Sequence, residues 1–185
     1  MTDARITDPK ALRALSHPFR WKLIKLLAEE GPRTATQCSQ KLGESVASCS
    51  YHLNMLAKYG FVTEVEGPGR QKPWQVVSKR QQISSVGLGT EAAMAAEAAS
   101  MAYLDQEFEE IRNRLRQREH LPAEWHEPSG TEGVIAFLTA AELAELKAEL
   151  EKVVLKYDDR RTDPSLRPEG VRAVRFFLAT TIAPE

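Results

Sequence analysis

The sequence predicts a mainly α fold with a small β component, and three observations carry that prediction. First, two short helical segments, residues 34–42 and 46–59, meet across Gly43 and stop at Gly60, and a hairpin over 61–77 follows with Gly67-Pro68-Gly69 at its tip. Second, residues 90–119 read as one long helix. Third, two short apolar segments, 134–138 and 171–182, flank a helix opened by Thr139-Ala-Ala-Glu142, a small C-terminal β-α-β element. The order helix, tight turn, helix, basic hairpin is that of a winged helix-turn-helix, whose second helix enters the major groove of DNA.

Each element has a local cause. Asp8 is placed as N-cap and Pro9 as first residue of a helix over 9–15. Ser16-His17-Pro18 interrupts, and Pro18 opens a helix in which Phe19, Leu23, Leu26 and Leu27 form an apolar stripe before Gly31-Pro32 ends it. Thr34 and Gln37 make a capping-box pattern for the next helix, which closes at Gly43, and Ser45 caps the one running to about Tyr59. Residues 81–89 read as an irregular connector, and Thr90 as cap of the long helix, which spans roughly 40 Å.

The first half of that helix is rich in small residues: Ala92, Ala93, Ala95, Ala96, Ala98, Ala99 and Ala102. In the second half Leu104, Phe108, Ile111 and Leu115 form one apolar stripe on an otherwise charged surface, the pattern of a packing seam. A helix this long cannot bury its seam against a small N-terminal domain. A partner subunit is the predicted cover, with packing on the C-terminal elements as the alternative. Residues 122–133 read as a Pro/Gly linker, 134–138 as a buried strand, 140–157 as a helix, 158–170 as a solvated loop and 171–182 as a strand. The predicted division is 1–80 for the winged helix, 81–121 for connector and dimerisation helix, and 122–185 for a C-terminal region serving dimerisation or ligand binding. No fixed-period repeat is present.

Composition bounds the function. The chain has 185 residues, 42% hydrophobic and 28% charged, ordinary for a soluble protein with one domain and a substantial appendage. No apolar run approaches the roughly 18–20 residues of a membrane span, and Met1-Thr-Asp-Ala-Arg5 lacks a signal-peptide core. Two cysteines form no disulfide framework, so the expected compartment is a reducing cytoplasm. The net charge of −1 hides a polarity: residues 1–80 hold 13 Lys and Arg against 7 Asp and Glu, and residues 81–185 hold 12 against 19. A basic N-terminal half suits a polyanion.

Setting Val46 at zero and advancing about 100° per residue gathers Val46, Cys49, Ser50, Leu53, Leu56 and Ala57 on the side predicted to be buried. Ala47, Ser48, Tyr51, Asn54, Met55 and Lys58 fall opposite. Ala47 allows close approach, Ser48 and Asn54 donate and accept, Tyr51 reaches a phosphate or base edge, and Lys58 meets the backbone. His52 lies between the faces, either a packing residue at the helix flank or a phosphate contact. Ser50, near the core side, bonds either a backbone carbonyl or a phosphate. In the hairpin Arg70 and Lys72 follow the tip and suit phosphates or the minor groove. Trp74 is predicted to pack beneath the wing. The candidate DNA-binding set is therefore Ser45, Ala47, Ser48, Ser50, Tyr51, His52, Asn54, Lys58, Arg70 and Lys72.

Ala14-Leu-Ser-His-Pro-Phe-Arg20, Leu23-Ile-Lys-Leu-Leu27 and Ser50-Tyr-His-Leu53, with Leu56, Gly60 and Val62, resemble the arsenic-repressor (ArsR) family of bacterial winged-helix regulators over about residues 8–78. The resemblance implies a dimeric repressor reading a two-fold site, with DNA contact from Ala47, Ser48, Ser50, Tyr51 and Arg70. Val46 stands where the family usually has a polar residue. The C-terminal region is similar to that of larger members with an extended C-terminus.

Metal-sensing members carry paired cysteines in the first helix of the motif or His/Asp clusters on the dimer helix. This chain has Cys38 alone in the former place, and His120, His126, Glu124 and Glu127 fall near or in a Pro-containing linker, so no metal or other cofactor is expected. Cys38 and Cys49, both facing inward, are a candidate redox pair or simply small hydrophobes. No Gly-rich phosphate loop, nucleophile elbow or carboxylate pair in a cleft is legible, and the reading is not an enzyme. The predicted partners are double-stranded DNA and a second copy of the chain, with no membrane. Two alternatives stand: a winged helix used for protein–protein contact, and a redox- or small-ligand-responsive regulator whose unknown effector is lined by Trp125, Tyr103 and Phe108.

Overall fold

The computed structural model describes residues 5–78 and 83–182. The opening residues 1–4, the connector residues 79–82 and the last three residues lie outside this description. The chain divides into two units, Met1–His120 and Leu121–Glu185, with the long helix inside the first.

In the first unit α1 (Pro9–Leu15) is capped as predicted, the Asp8 carboxylate accepting from the N–H groups of Lys10 and Ala11. α2 (Pro18–Glu30) is capped by His17, whose Nδ1 accepts the Phe19 N–H at 3.2 Å. The apolar stripe is wider than its aliphatic residues. Arg20, Trp21 and Ile24 are buried beside Leu23, Leu26 and Leu27, and Phe19 is half-buried. Two of these close the end of α1: Arg20 Nη1 donates to the Ala14 carbonyl at 2.7 Å and Trp21 Nε1 to that of Leu15 at 2.6 Å. Carbonyls of a helix's last turn have no partner in the helix itself, so these side chains satisfy groups that burial would otherwise penalise.

α3 (Ala35–Leu42) carries both halves of the Thr34–Gln37 capping box. Gly43 follows at φ +70°, a conformation that glycine alone adopts without a Cβ clash, and the chain turns sharply into α4 (Val46–Lys58). Ser45 caps α4 by accepting the Ser48 N–H at 3.1 Å. The hairpin then pairs β1 (Val62–Glu64) with β2 (Trp74–Val76), antiparallel, with Val62 opposite Val76 and Glu64 opposite Trp74. Arg33 extends this ladder by exchanging two backbone hydrogen bonds with Trp74, at 3.0 and 2.8 Å. The strands are shorter than the predicted hairpin, because most of residues 65–73 is wing loop. Leu15, Leu23, Leu27, Leu53, Leu56 and Val62 are the fully closed centre of the core.

α5 (Thr90–Arg116) begins one residue earlier than expected. Gly89 is its N-cap and Thr90, predicted as the cap, is already helical. The helix ends at Arg116, with a 3₁₀ turn over Arg118–His120. Its alanine face is the buried one: Ala92, Ala95 and Ala96 pack with Leu12 of α1, and Ala99 and Ala102 join the main core. Side chains ending at Cβ let two helices approach closely. Further along, the Tyr103 ring lies 4.9 Å from that of Trp21. Lys25–Glu110 at 3.2 Å and Arg114–Glu29 at 3.0 Å then tie α2 to α5, and Arg114–Glu110 at 2.6 Å links the two pairs along α5. Burial alone would raise the Glu110 carboxyl, but the Arg114 hydrogen bond and the Lys25 charge outweigh it and hold it below its ordinary value. The larger apolar residues of α5 point elsewhere: Met94, Met101, Phe108 and Leu115 are exposed.

In the second unit α6 (Ala140–Leu155) opens on the predicted capping box, with the Thr139 N–H donating to Glu142 at 2.7 Å. A short α7 (Asp159–Thr162) follows. The two predicted strands do not form. Residues 134–138 and 171–182 belong to no helix or ladder, and the β1–β2 hairpin is the one sheet among the described residues. Residues 134–138, expected to be buried, leave Val134 92% and Phe137 98% exposed. Strand propensity marks residues that fit a half-covered pleated surface and supplies no neighbour to pair with.

Candidate nucleic-acid interface

Burial divides α4 cleanly. Cys49, His52, Leu53 and Leu56 are buried, while Ala47, Tyr51, Asn54 and Lys58 are exposed on the opposite side. Ser48 and Met55 are half-buried along one flank, Ser50 and Ala57 along the other. The helix therefore presents a continuous polar strip while its back is held in the core. Val46 departs from the sequence reading. Expected inside, it is 44% exposed, because it lies in the first turn beside the exposed 43–45 loop, where no layer covers it.

The strip has a defined resting state. The Ser45 hydroxyl is engaged as cap, and Asn54 Nδ2 donates to the Ser50 carbonyl at 2.8 Å, so the amide is folded onto its own helix. Tyr51 is 58% exposed with its ring edge-on to His52 at 5.1 Å. Lys58 Nζ lies 5.7 Å from the Tyr59 ring centre near the C-terminal end.

His52 is placed inside, which removes it from the set that a phosphate can reach. It is 8% exposed, Arg20 Nε donates to its Nδ1 at 3.3 Å, and the rings of His17 and Phe19 approach at 4.5 and 5.1 Å. Arg20 thus spans from the α1 terminus to α4. Burial first, then the charges of His17 and Arg20, push the His52 pKa below its ordinary 6.5, against a smaller opposing effect of Glu44. Protonated Nδ1 cannot accept the Arg20 hydrogen bond. The unfolded chain therefore takes up this proton more readily than the folded one. Stability contributed by neutral His52 is complete above 6.5 and is lost as pH falls below that value toward the depressed folded one. Urea unfolding followed from pH 7.5 to 5.5 is expected to show this loss, and His52→Phe to flatten it. An unchanged slope in the variant would assign the loss to another group.

In the wing, Gly67 is required by close approach: a Cβ there would stand 2.6 Å from Pro73 Cδ and 3.1 Å from the Gln71 carbonyl oxygen. Lys72 Nζ is 3.8 Å from the Glu64 carboxylate, and Glu66 is also exposed, so acidic groups offset part of the basic tip. Arg70 is exposed at that tip. Trp74 is buried beneath it, as the sequence reading has it.

The remaining candidates are accounted for locally. Cys38 and Cys49 are both fully buried, and burial, with Cys49 next in effect, raises the Cys38 thiol to about 11. Burial and Glu44 raise Cys49 as well. Thiols held protonated are poor nucleophiles and behave as small core residues. His126 Nε2 lies 2.8 Å from the Leu121 carbonyl oxygen, and no group of three metal-binding side chains occurs among the described residues. Tyr103 is taken up by Trp21, Phe108 is exposed on α5, and Trp125 belongs to the other unit. Sequence reasoning missed the roles of His17, Arg20 and Trp21. Their only signal was a basic and an aromatic residue placed on the inner side of an otherwise apolar helix.

Residues 15–65 match a helix-turn-helix domain family. The match runs from the last residue of α1 to just past β1 and contains the whole of α2, α3 and α4. No curated protein matches the chain. No helix among the described residues is long and apolar enough to cross a membrane. The matched domain, in a mostly helical fold with one small hairpin, supports a DNA-binding regulator of the helix-turn-helix class rather than an enzyme.

Proposed function

We propose that the protein is a sequence-specific, homodimeric transcriptional repressor, ArsR-like over residues 8–78, that lays α4 in the major groove and its wing on the backbone or minor groove. The observation that carries this is the polar strip of Ala47, Tyr51, Asn54 and Lys58, exposed on a helix whose opposite face is locked in the core. Ala47 and Ser48 allow and make close contact with base edges. Tyr51 and Asn54 read them, and Ser50, Lys58 and Arg70 meet phosphates. The Ser45-capped N-terminus of α4 adds the positive end of a helix dipole.

The dimer reading rests on α5. Met94, Met101, Phe108 and Leu115 recur every seven residues and are exposed, with half-buried Leu104 and Ile111 between them. A 3.5-residue repeat of this kind is the seam of a coiled coil, and it lies away from the alanine face that packs on α1. Two copies joined along it would set their α4 helices in successive major grooves, about 34 Å apart.

Electrophoretic mobility shift on DNA selected from a random pool, at two salt concentrations, tests the interface. Tyr51→Ala is expected to cost about 1–3 kcal/mol on the preferred site and to relax sequence choice. Arg70→Ala should weaken all sequences alike and reduce the salt slope by about 1. A Tyr51→Ala protein with unaltered affinity and preference would refute the assigned face.

A further inference from the structure

The second unit has no buried side chain among its described residues. Its helix and the two segments 134–138 and 171–182 each carry exposed apolar side chains. Val174, Phe176, Leu178 and Ile182 alternate along one side of the last segment and are 57–86% exposed, and Val134 and Phe137 are more exposed still. A monomer in water rarely leaves this many large apolar side chains bare. Closing the β-α-β element on itself, with α6 on one face, would still leave the outer edge of a two-stranded ribbon unpaired and open to another strand.

We propose that a second copy of this chain supplies the missing cover, and that residues 171–182 pair antiparallel with the same residues of the other copy about a two-fold axis at Phe177. The register is self-complementary. It sets Phe176 opposite Leu178, Val174 opposite Thr180, Arg175 opposite Ala179 and Arg172 opposite Ile182. No like charges then face each other, and the apolar residues of both copies share one side of the ribbon. Residues 134–138 add as outer strands, giving four strands in all, and the apolar side of α6 from each copy covers the shared face. The inference rests on the α5 dimer proposed above. Residues 116–133 tether each tail to a seam ending at Leu115, so the two tails meet at the high effective concentration of a short linker.

The test is disulfide cross-linking of the full chain at the new position. The native thiols are buried and protonated, so background coupling is low. In Phe177→Cys the two introduced thiols face each other across the axis, within the 4.4–6.8 Å Cα range of a disulfide. In Thr181→Cys they are roughly 27 Å apart. The expected result is a covalent dimer for most of the Phe177→Cys protein and almost none for Thr181→Cys. Coupling of neither, or of both equally, in a protein that sediments as a dimer would overturn the strand pairing and leave the α5 seam standing. A chain that sediments as a monomer at every concentration would remove both. Hydrogen exchange on the unaltered chain covers the case in which Phe177→Cys fails to fold. The 171–182 amides should be protected in the dimer and unprotected in monomeric Phe108→Glu, and protection that persists in the monomer would overturn the pairing.

Discussion

Phe108→Glu is expected to convert the protein into monomers and to lower its affinity for a full two-fold DNA site by about 10²- to 10⁴-fold, while affinity for a half-site stays the same. Phe108 lies third in the row Met94, Met101, Phe108, Leu115 and is 45% exposed in the single chain. Facing the same residue of a second copy, two carboxylates would sit together in a desolvated seam, where charge without a partner is strongly disfavoured. The change leaves α5 in place, because that helix is held by its alanine face and by the Lys25 and Arg114 ion pairs on the other side. The loss comes from separating two recognition helices that otherwise bind as one unit. Sedimentation and binding to full and half sites measure it together. A Phe108→Glu protein that remains dimeric, or that binds the full site unchanged, would place the interface elsewhere.

Leu53→Ala and Asn54→Ala, adjacent in α4, are expected to have opposite effects. Leu53 is fully buried, and removing its side chain leaves a cavity costing about 2–5 kcal/mol of stability. Asn54 is exposed, and among the described residues its side chain bonds within its own helix, to Ser50. Asn54→Ala should leave the urea midpoint nearly unchanged while weakening the preferred DNA site. The contrast separates the two jobs of one helix, since packing energy and base reading fall on faces half a turn apart. Equal loss of stability in the two variants would mean that the exposed strip is structural.

Local signals in the chain are mostly legible, the cap of α5 being the exception, Gly89 in place of Thr90. Asp8 before Pro9, Thr34 with Gln37, Ser45, and Thr139 with Glu142 all cap the helices assigned to them, because a cap is a contact between residues at most three apart. The buried side of α4 was legible for Cys49, Leu53 and Leu56, where helical spacing alone decides the face. It failed at Val46, where being in the first turn mattered more than angle. On α5 the Leu104–Leu115 stripe was evident, but its extension through Met94 and Met101 shows only once the alanine face is seen to be the buried one.

The sequence by itself determined the helices, their stops at Gly31, Gly43 and Gly60, and the polar strip from Ala47 to Lys58, because these follow from backbone sterics and side-chain spacing within a few residues. Only the tertiary structure decided that His52 turns inward to meet Arg20, that Arg20 and Trp21 close the end of α1, and that residues 134–138 and 171–182 remain unladdered. These depend on which distant group arrives to accept a hydrogen bond or cover an apolar face, and a one-dimensional pattern carries no information about arrival.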